Sequence, residues 1–193
     1  MAITRSIRFV LADALVFLAA CSLPADTDAP DVAMGNFALG HNIVVVNEPE
    51  IGPFSRTVTD EVWKEELTAG IARWFGDYEG EKLYHLGVKI DAYVLAAPGV
   101  PLVFKPKSVL VLSVNIWDDA SQTKLNAEPK QLIVFEGVSG NTIIGSGLTQ
   151  NKKKQMVKLS DNAAKAIQDW ILETPEWVGL PPLPVENAEA PTN

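Results

Sequence analysis

Residues 85–94, HLGVKIDAYV, alternate in side-chain character, and that alternation decides the fold class. Leu86, Val88, Ile90, Ala92 and Val94 fall on one face of an extended strand, with His85, Lys89, Asp91 and Tyr93 on the other. A second stretch of the same kind, Ser108 to Trp117 (SVLVLSVNIW), turns Leu110, Leu112, Val114 and Ile116 inward. The loop Ala97-Pro98-Gly99-Val100-Pro101 separates the two, which predicts an antiparallel pair. Strands with one apolar face need a second layer to cover it.

The flanking segments supply that layer. Upstream, His41 to Asn47 contains Ile43-Val44-Val45-Val46, four β-branched residues bounded by polar ones, which predicts a buried strand. A helix is expected over about Asp60 to Asp77. Thr59 can cap it, Asp60 and Glu61 place negative charge in its first turn, and Gly76 and Gly80 mark its end. Trp63, Leu67, Ile71, Trp74 and Phe75 recur at helical spacing. Trp63, Leu67, Ile71 and Trp74 are therefore expected against the sheet face bearing Leu86, Val88, Ile90, Leu110, Leu112 and Val114.

Downstream, Asp118-Asp119-Ala120-Ser121 reads as a turn, and Gln131 to Glu136 as a further strand through Leu132, Ile133, Val134 and Phe135. Thr142 to Ile144 is a candidate extension of the sheet. A last helix ends at Glu173, stopped by Pro175. Met156, Leu159, Ala163, Ile167, Trp170 and Ile171 favour its start near Asn151, whereas Ser160-Asp161 is a capping pair that favours a start there. The stripe is the longer signal. The order predicts an α+β fold, a two-layer sandwich of a mainly antiparallel sheet with helices packed on it.

Composition sets outer limits. The chain has 193 residues, 47% apolar and 21% charged, as in an ordinary globular domain. Its pI near 4.8 argues against nucleic acid as a partner and against broad adhesion to anionic lipid. Ser22 to Asn36 is rich in Pro, Ala and Asp, and Pro175 to Asn193 holds five of the 13 prolines. These bounds predict one α+β domain, residues 37–174, between a tether, 21–36, and a Pro-rich disordered tail, 175–193.

The first twenty residues read as a signal peptide. Arg5 and Arg8 precede an apolar run, Phe9 to Ala20, which ends at small residues before Cys21, the only cysteine of the chain. Leu18-Ala19-Ala20-Cys21 resembles the lipobox of bacterial lipoproteins. The resemblance implies cleavage before Cys21 and its lipidation. It further implies, with Ser22 in place of Asp at the next position, export to the periplasmic face of the outer membrane.

Asp13 inside the run costs roughly 2.5–3.5 kcal/mol of membrane insertion, which Val10, Leu11, Leu15, Val16, Phe17 and Leu18 together offset by about 3 kcal/mol. A start at Met34, giving a chain without cysteine, is the alternative. Setting aside Arg5, Arg8 and Asp13 from 16 basic and 24 acidic residues leaves 14 and 23, a mature formal charge of −9. The element order is similar in outline to small periplasmic lipoproteins of Gram-negative bacteria, among them activators of peptidoglycan synthases and assembly factors of the outer membrane.

Catalytic chemistry finds little support in the sequence. Only His41 and His85 could serve a nucleophile, and His85 and Asp91 on one strand face stand roughly 20 Å apart. Two scattered histidines and a lipidated cysteine make no zinc site, and Asp118-Asp119 lacks the alternating ligands of a calcium loop. Gly140 to Gly147, GNTIIGSG, lacks the lysine of a phosphate loop. No catalytic residue, metal or cofactor is assigned.

Lys152, Lys153 and Lys154 oppose the dipole of a helix beginning near Asn151, at roughly 0.3–1 kcal/mol each. They are the candidate contact to an anionic surface, set against the reading that they are solvated lysines in a loop. Two functions follow: a non-catalytic binding or assembly module of the cell envelope, with an envelope protein or cell-wall component as partner, or a periplasmic hydrolase using carboxylates. A concave pocket with two or more convergent acids would favour the second.

Overall fold

Strand and helix alternate at first and then separate, over the residues that the computed structural model describes, 32–97, 108–136 and 152–181. The elements are β1 (Phe37–Ile51), α1 (Asp60–Phe75), β2 (Lys82–Val94), β3 (Val109–Asp118), β4 (Thr123–Lys124), β5 (Lys130–Phe135) and α2 (Lys152–Leu172). A short 3-10 helix follows, Pro175–Val178. β1 and β2 pair in parallel, as α1 carries the chain back between them. β2 pairs antiparallel with β3, and β3 with both β4 and β5. The fold is thus α+β, with a mixed sheet that is antiparallel in all but one pairing.

Both helices cover one face of the sheet. Trp63, Leu67, Ile71 and Phe75 of α1 and Leu159, Ala163, Ile167 and Ile171 of α2 are fully buried there. They join Leu86, Val88 and Ile90 of β2 and Leu110, Leu112, Val114 and Ile116 of β3 in one core. Trp74 is only partly buried, contrary to the expectation from spacing. Steps of four from Trp63 run through Leu67 and Ile71 to Phe75, and residue 74 falls one position off that line. Gly70 faces α2, where a Cβ on it would stand 2.6 Å from the Cβ of Ser160. The bare backbone at 70 therefore sets how closely the helices cross.

Two readings of the strands change, and the expected β5 acquires an inward face. Among the described residues β1 is an edge strand with only one face covered, so Val44 is buried while Ile43 and Val45 are 57% and 46% exposed. β2 slips register against β3 between Ile90 and Ala92. One extra residue in a strand exchanges its faces. Beyond Asp91, accordingly, Tyr93 and Leu95 are buried, and Ala92 and Val94, expected inside, are not fully so. In β5 the inward residue is Val134, while Ile133 and Phe135 are exposed.

The ends of the helices follow the longer signals. α1 starts after Thr59, whose carbonyl accepts the Trp63 N–H at 3.2 Å, although its hydroxyl makes no capping bond. α2 starts at Lys152, as the apolar stripe requires, and Ser160 lies fully buried inside it.

Order also extends past the expected domain edges. Pro175 and Val178 of the 3-10 helix are buried, and the Tyr84 hydroxyl donates to the Trp177 carbonyl at 2.7 Å. On the other side Met34 is buried, and the Asn36 N–H donates to the Val178 carbonyl at 2.8 Å. Residues 175–181 therefore belong to the fold, against the expected disorder of 175–193, and so does the end of the segment expected as a tether, from Met34 to Asn36. Residues 1–31, with the expected signal segment and Cys21, lie outside the described residues, as do Thr142 to Ile144, Gly140 to Gly147 and 182–193.

Candidate functional site

The face of the sheet turned away from the helices carries a groove. Alternation places His41, Ile43 and Val45 of β1, His85, Gly87, Lys89 and Asp91 of β2, and Ser113, Asn115 and Trp117 of β3 on this side. Asp118, Asp119, Gln122 and Pro129 close one end. The volume is about 660 Å³, within the range of ligand-binding clefts. Its floor combines exposed aliphatic groups on β1 with the Trp117 indole. A Cβ on Gly87 would stand 2.7 Å from the outer edge of that indole. Glycine at 87 thus makes room for Trp117 to lean across β2, and any larger residue there would displace the ring.

At one end His85 is held from both sides. Its Nδ1 accepts the His41 backbone N–H at 2.7 Å, so Nε2 carries the proton and faces Asp119 Oδ1 at 2.8 Å. The His41 and His85 rings stack with centroids 4.8 Å apart. Asp119 also receives the Gln122 side-chain amide at 3.3 Å, and Asp118 accepts the Ala120 N–H at 3.0 Å. A histidine paired to a carboxylate resembles part of a nucleophile-activating relay, but the ring nitrogen that would take a proton is occupied by backbone.

At the other end Asp91 accepts the Ser113 hydroxyl at 2.5 Å and Lys89 Nζ at 2.9 Å. Burial pushes the Asp91 carboxyl up, but those hydrogen bonds and the Lys89 charge outweigh it and hold the carboxyl below its ordinary value. The folded state thus favours ionised Asp91 more than the unfolded chain does. The resulting stability is fully present above the unfolded carboxylate value, about 3.9, and is lost as pH falls through the lower folded value. An Asp91→Asn variant is expected to unfold with a shallower loss of stability below about pH 4, read from urea midpoints across an acid series.

The sequence-predicted site residues lie elsewhere. Lys152, Lys153 and Lys154 occupy the first turn of α2, all exposed, and none lines the groove. Lys152 Nζ donates to the Thr57 carbonyl at 3.3 Å. Among the described residues, no group of three or more His, Cys, Asp or Glu side chains is placed to hold a metal ion. Asp119, read from sequence as an ordinary turn residue, is the carboxylate that meets His85. The residue pattern carries no sign of this, because the meeting depends on the register of β3 against β2, which sets Trp117 opposite His85.

No family model matches the chain, and no curated protein matches it in sequence. Among solved structures it is similar to a DUF330 protein of Xanthomonas campestris, at a TM-score of 0.42 and 10% identity, covering 74% of this chain and 94% of that one. It is similar also to a candidate lipoprotein of Caulobacter crescentus, at 0.36 and 14%, covering 71% and 89%. A hypothetical protein of Chlamydia trachomatis gives 0.35 and 10%, covering 76% and 99%.

Proposed function

We propose that this chain is a lipid-anchored protein of the bacterial envelope, held at the periplasmic face of the outer membrane through Cys21, and that its domain is a non-catalytic binding or assembly module. The observation that carries the binding reading is the groove on the open sheet face. Its floor is aliphatic and aromatic, and each of its three carboxylates already accepts a hydrogen bond from the protein. A hydrolase built on carboxylates needs two acids converging on one bond with their protonation states held apart. Here Asp91 is engaged at one end and Asp118 and Asp119 at the other.

The test places a photo-crosslinking amino acid at position 43 in living cells, with position 62 on α1, also exposed, as control. Adducts of one defined mass from position 43 and none from 62 are expected. Equal crosslinking from both sites, or none from 43, would end the groove reading. In the same cells labelled fatty acid should attach to the wild-type chain and not to Cys21→Ser. Fractionation should place Ser22→Asp in the inner membrane.

A second contact is proposed at the first turn of α2, where Lys152, Lys153 and Lys154 would face an anionic surface. Reversing all three to Glu is expected to abolish sedimentation with anionic vesicles while slightly raising the urea midpoint, because negative charge suits a helix start. Sedimentation of the unaltered chain should weaken as salt rises, since exposed charges are screened over about 8 Å at physiological ionic strength. Unchanged sedimentation of the reversed variant would discard this contact.

A further inference from the structure

We infer that the occupant of the groove is an extended, basic segment of a partner protein, aliphatic where it passes Ile43 and Val45 and cationic where it reaches Asp118 and Asp119. The inference deepens the binding reading above and rests on it. Charge is the first support. The groove is lined by three aspartates and a single lysine, and Lys89 is paired to Asp91 at 2.9 Å. No Lys or Arg of the groove lining is paired to Asp118 or Asp119, so negative charge gathers at that end of the groove, which the Trp117 ring also lines. An aromatic face next to carboxylates attracts a Lys or Arg side chain both by Coulomb attraction and by the ring quadrupole. An anionic ligand at this acidic end of the groove would meet repulsion.

Shape is the second support. The groove follows the strands from His85 to Asp91, six residues or about 20 Å, which suits several residues of extended chain better than a compact molecule. Its wall on the β1 side is a sheet edge. β1 pairs with β2 and with no other strand among the described residues. Register irregularities flank Asn42 to Val46, leaving that stretch regular. Such an edge can accept an added strand through main-chain hydrogen bonds, with alternate side chains of the newcomer turned onto the face of Ile43 and Val45.

The experiment titrates the full chain, in detergent micelles, into a fluorescein-labelled synthetic peptide of about eight residues, valines flanked by lysines at both ends. Anisotropy should show saturable binding that weakens as salt rises. Exchanging the peptide lysines for glutamates, or N-methylating its valines, should weaken binding at least about tenfold. Ile43→Lys, and separately Asp118→Asn with Asp119→Asn, should do the same, while Val62→Lys on α1 should not. Circular dichroism and urea midpoints establish that each variant is folded.

Equal binding of the glutamate peptide would overturn the charge assignment, and undiminished binding by Ile43→Lys would overturn the location. Absence of saturable binding by the lysine peptide would overturn the inference as a whole. If that peptide fails while position 43 still crosslinks in cells, the groove remains a binding site and its occupant is of another chemistry.

Discussion

Replacing Trp63 by Ala is expected to cost about 3–5 kcal/mol of folding stability, read as a lowered urea midpoint at unchanged slope. Trp63 is the largest of the fully buried side chains, and its ring lies 5.2 Å from that of Tyr93, tilted by 58°. Removing it opens a cavity between α1 and the sheet where β2 has just changed faces, and a rigid sheet cannot collapse to fill it. The buried indole N–H has no hydrogen-bond partner among the described residues. Trp63→Phe should therefore recover most of the loss, since it restores ring volume and removes a buried donor that nothing satisfies. Trp74→Ala supplies the contrast: a half-buried ring off the line of the stripe should cost clearly less. Equal losses at 63 and 74 would mean that α1 is rotated from the orientation described.

The second large effect is expected at Asn126, between β4 and β5. Its Oδ1 accepts the Ile116 N–H at 3.0 Å, and its Nδ2 donates to the Val114 carbonyl at 3.2 Å and the Glu128 carbonyl at 2.7 Å. One buried side-chain amide thus completes the end of β3 and shapes the connection into β5. Asn126→Ala leaves two buried main-chain groups, the Ile116 N–H and the Val114 carbonyl, without this partner, each at about 1–3 kcal/mol, for a total of about 2–6 kcal/mol. Asn126→Asp should not rescue it, because a carboxylate sets acceptors against the Val114 and Glu128 carbonyls. Hydrogen exchange should show the Ile116 amide losing protection first. Retained protection at Ile116 in the Ala variant would show that its N–H finds another partner.

The core was legible in sequence wherever one period held without interruption. The inward set of β3 is the one that alternation predicts, and the stripe on α2 outweighed the capping pair at Ser160 because a buried face of six residues outlasts one local hydrogen bond. Legibility stopped at irregularities. Nothing in HLGVKIDAYV marks the extra residue at Asp91, since alternation before and after it looks continuous, yet it exchanges the faces of Tyr93 and Val94. Ile43 to Val46 read as buried because β-branched runs suit central strands, whereas edge position is a property of the whole sheet. The groove was largely illegible for the same reason. Its parts come from three strands and a turn, and only their register brings Asp119 to His85 and Trp117 over Gly87.

The hydrogen bond between the Asn36 amide and the Val178 carbonyl places the entry and the exit of the chain side by side. Both ends of the described fold are thereby fastened at a single pole. Tension applied through residues upstream of Val32 would load this clasp and the neighbouring Lys82 N–H to Asn36 carbonyl bond before the main ladder of β1.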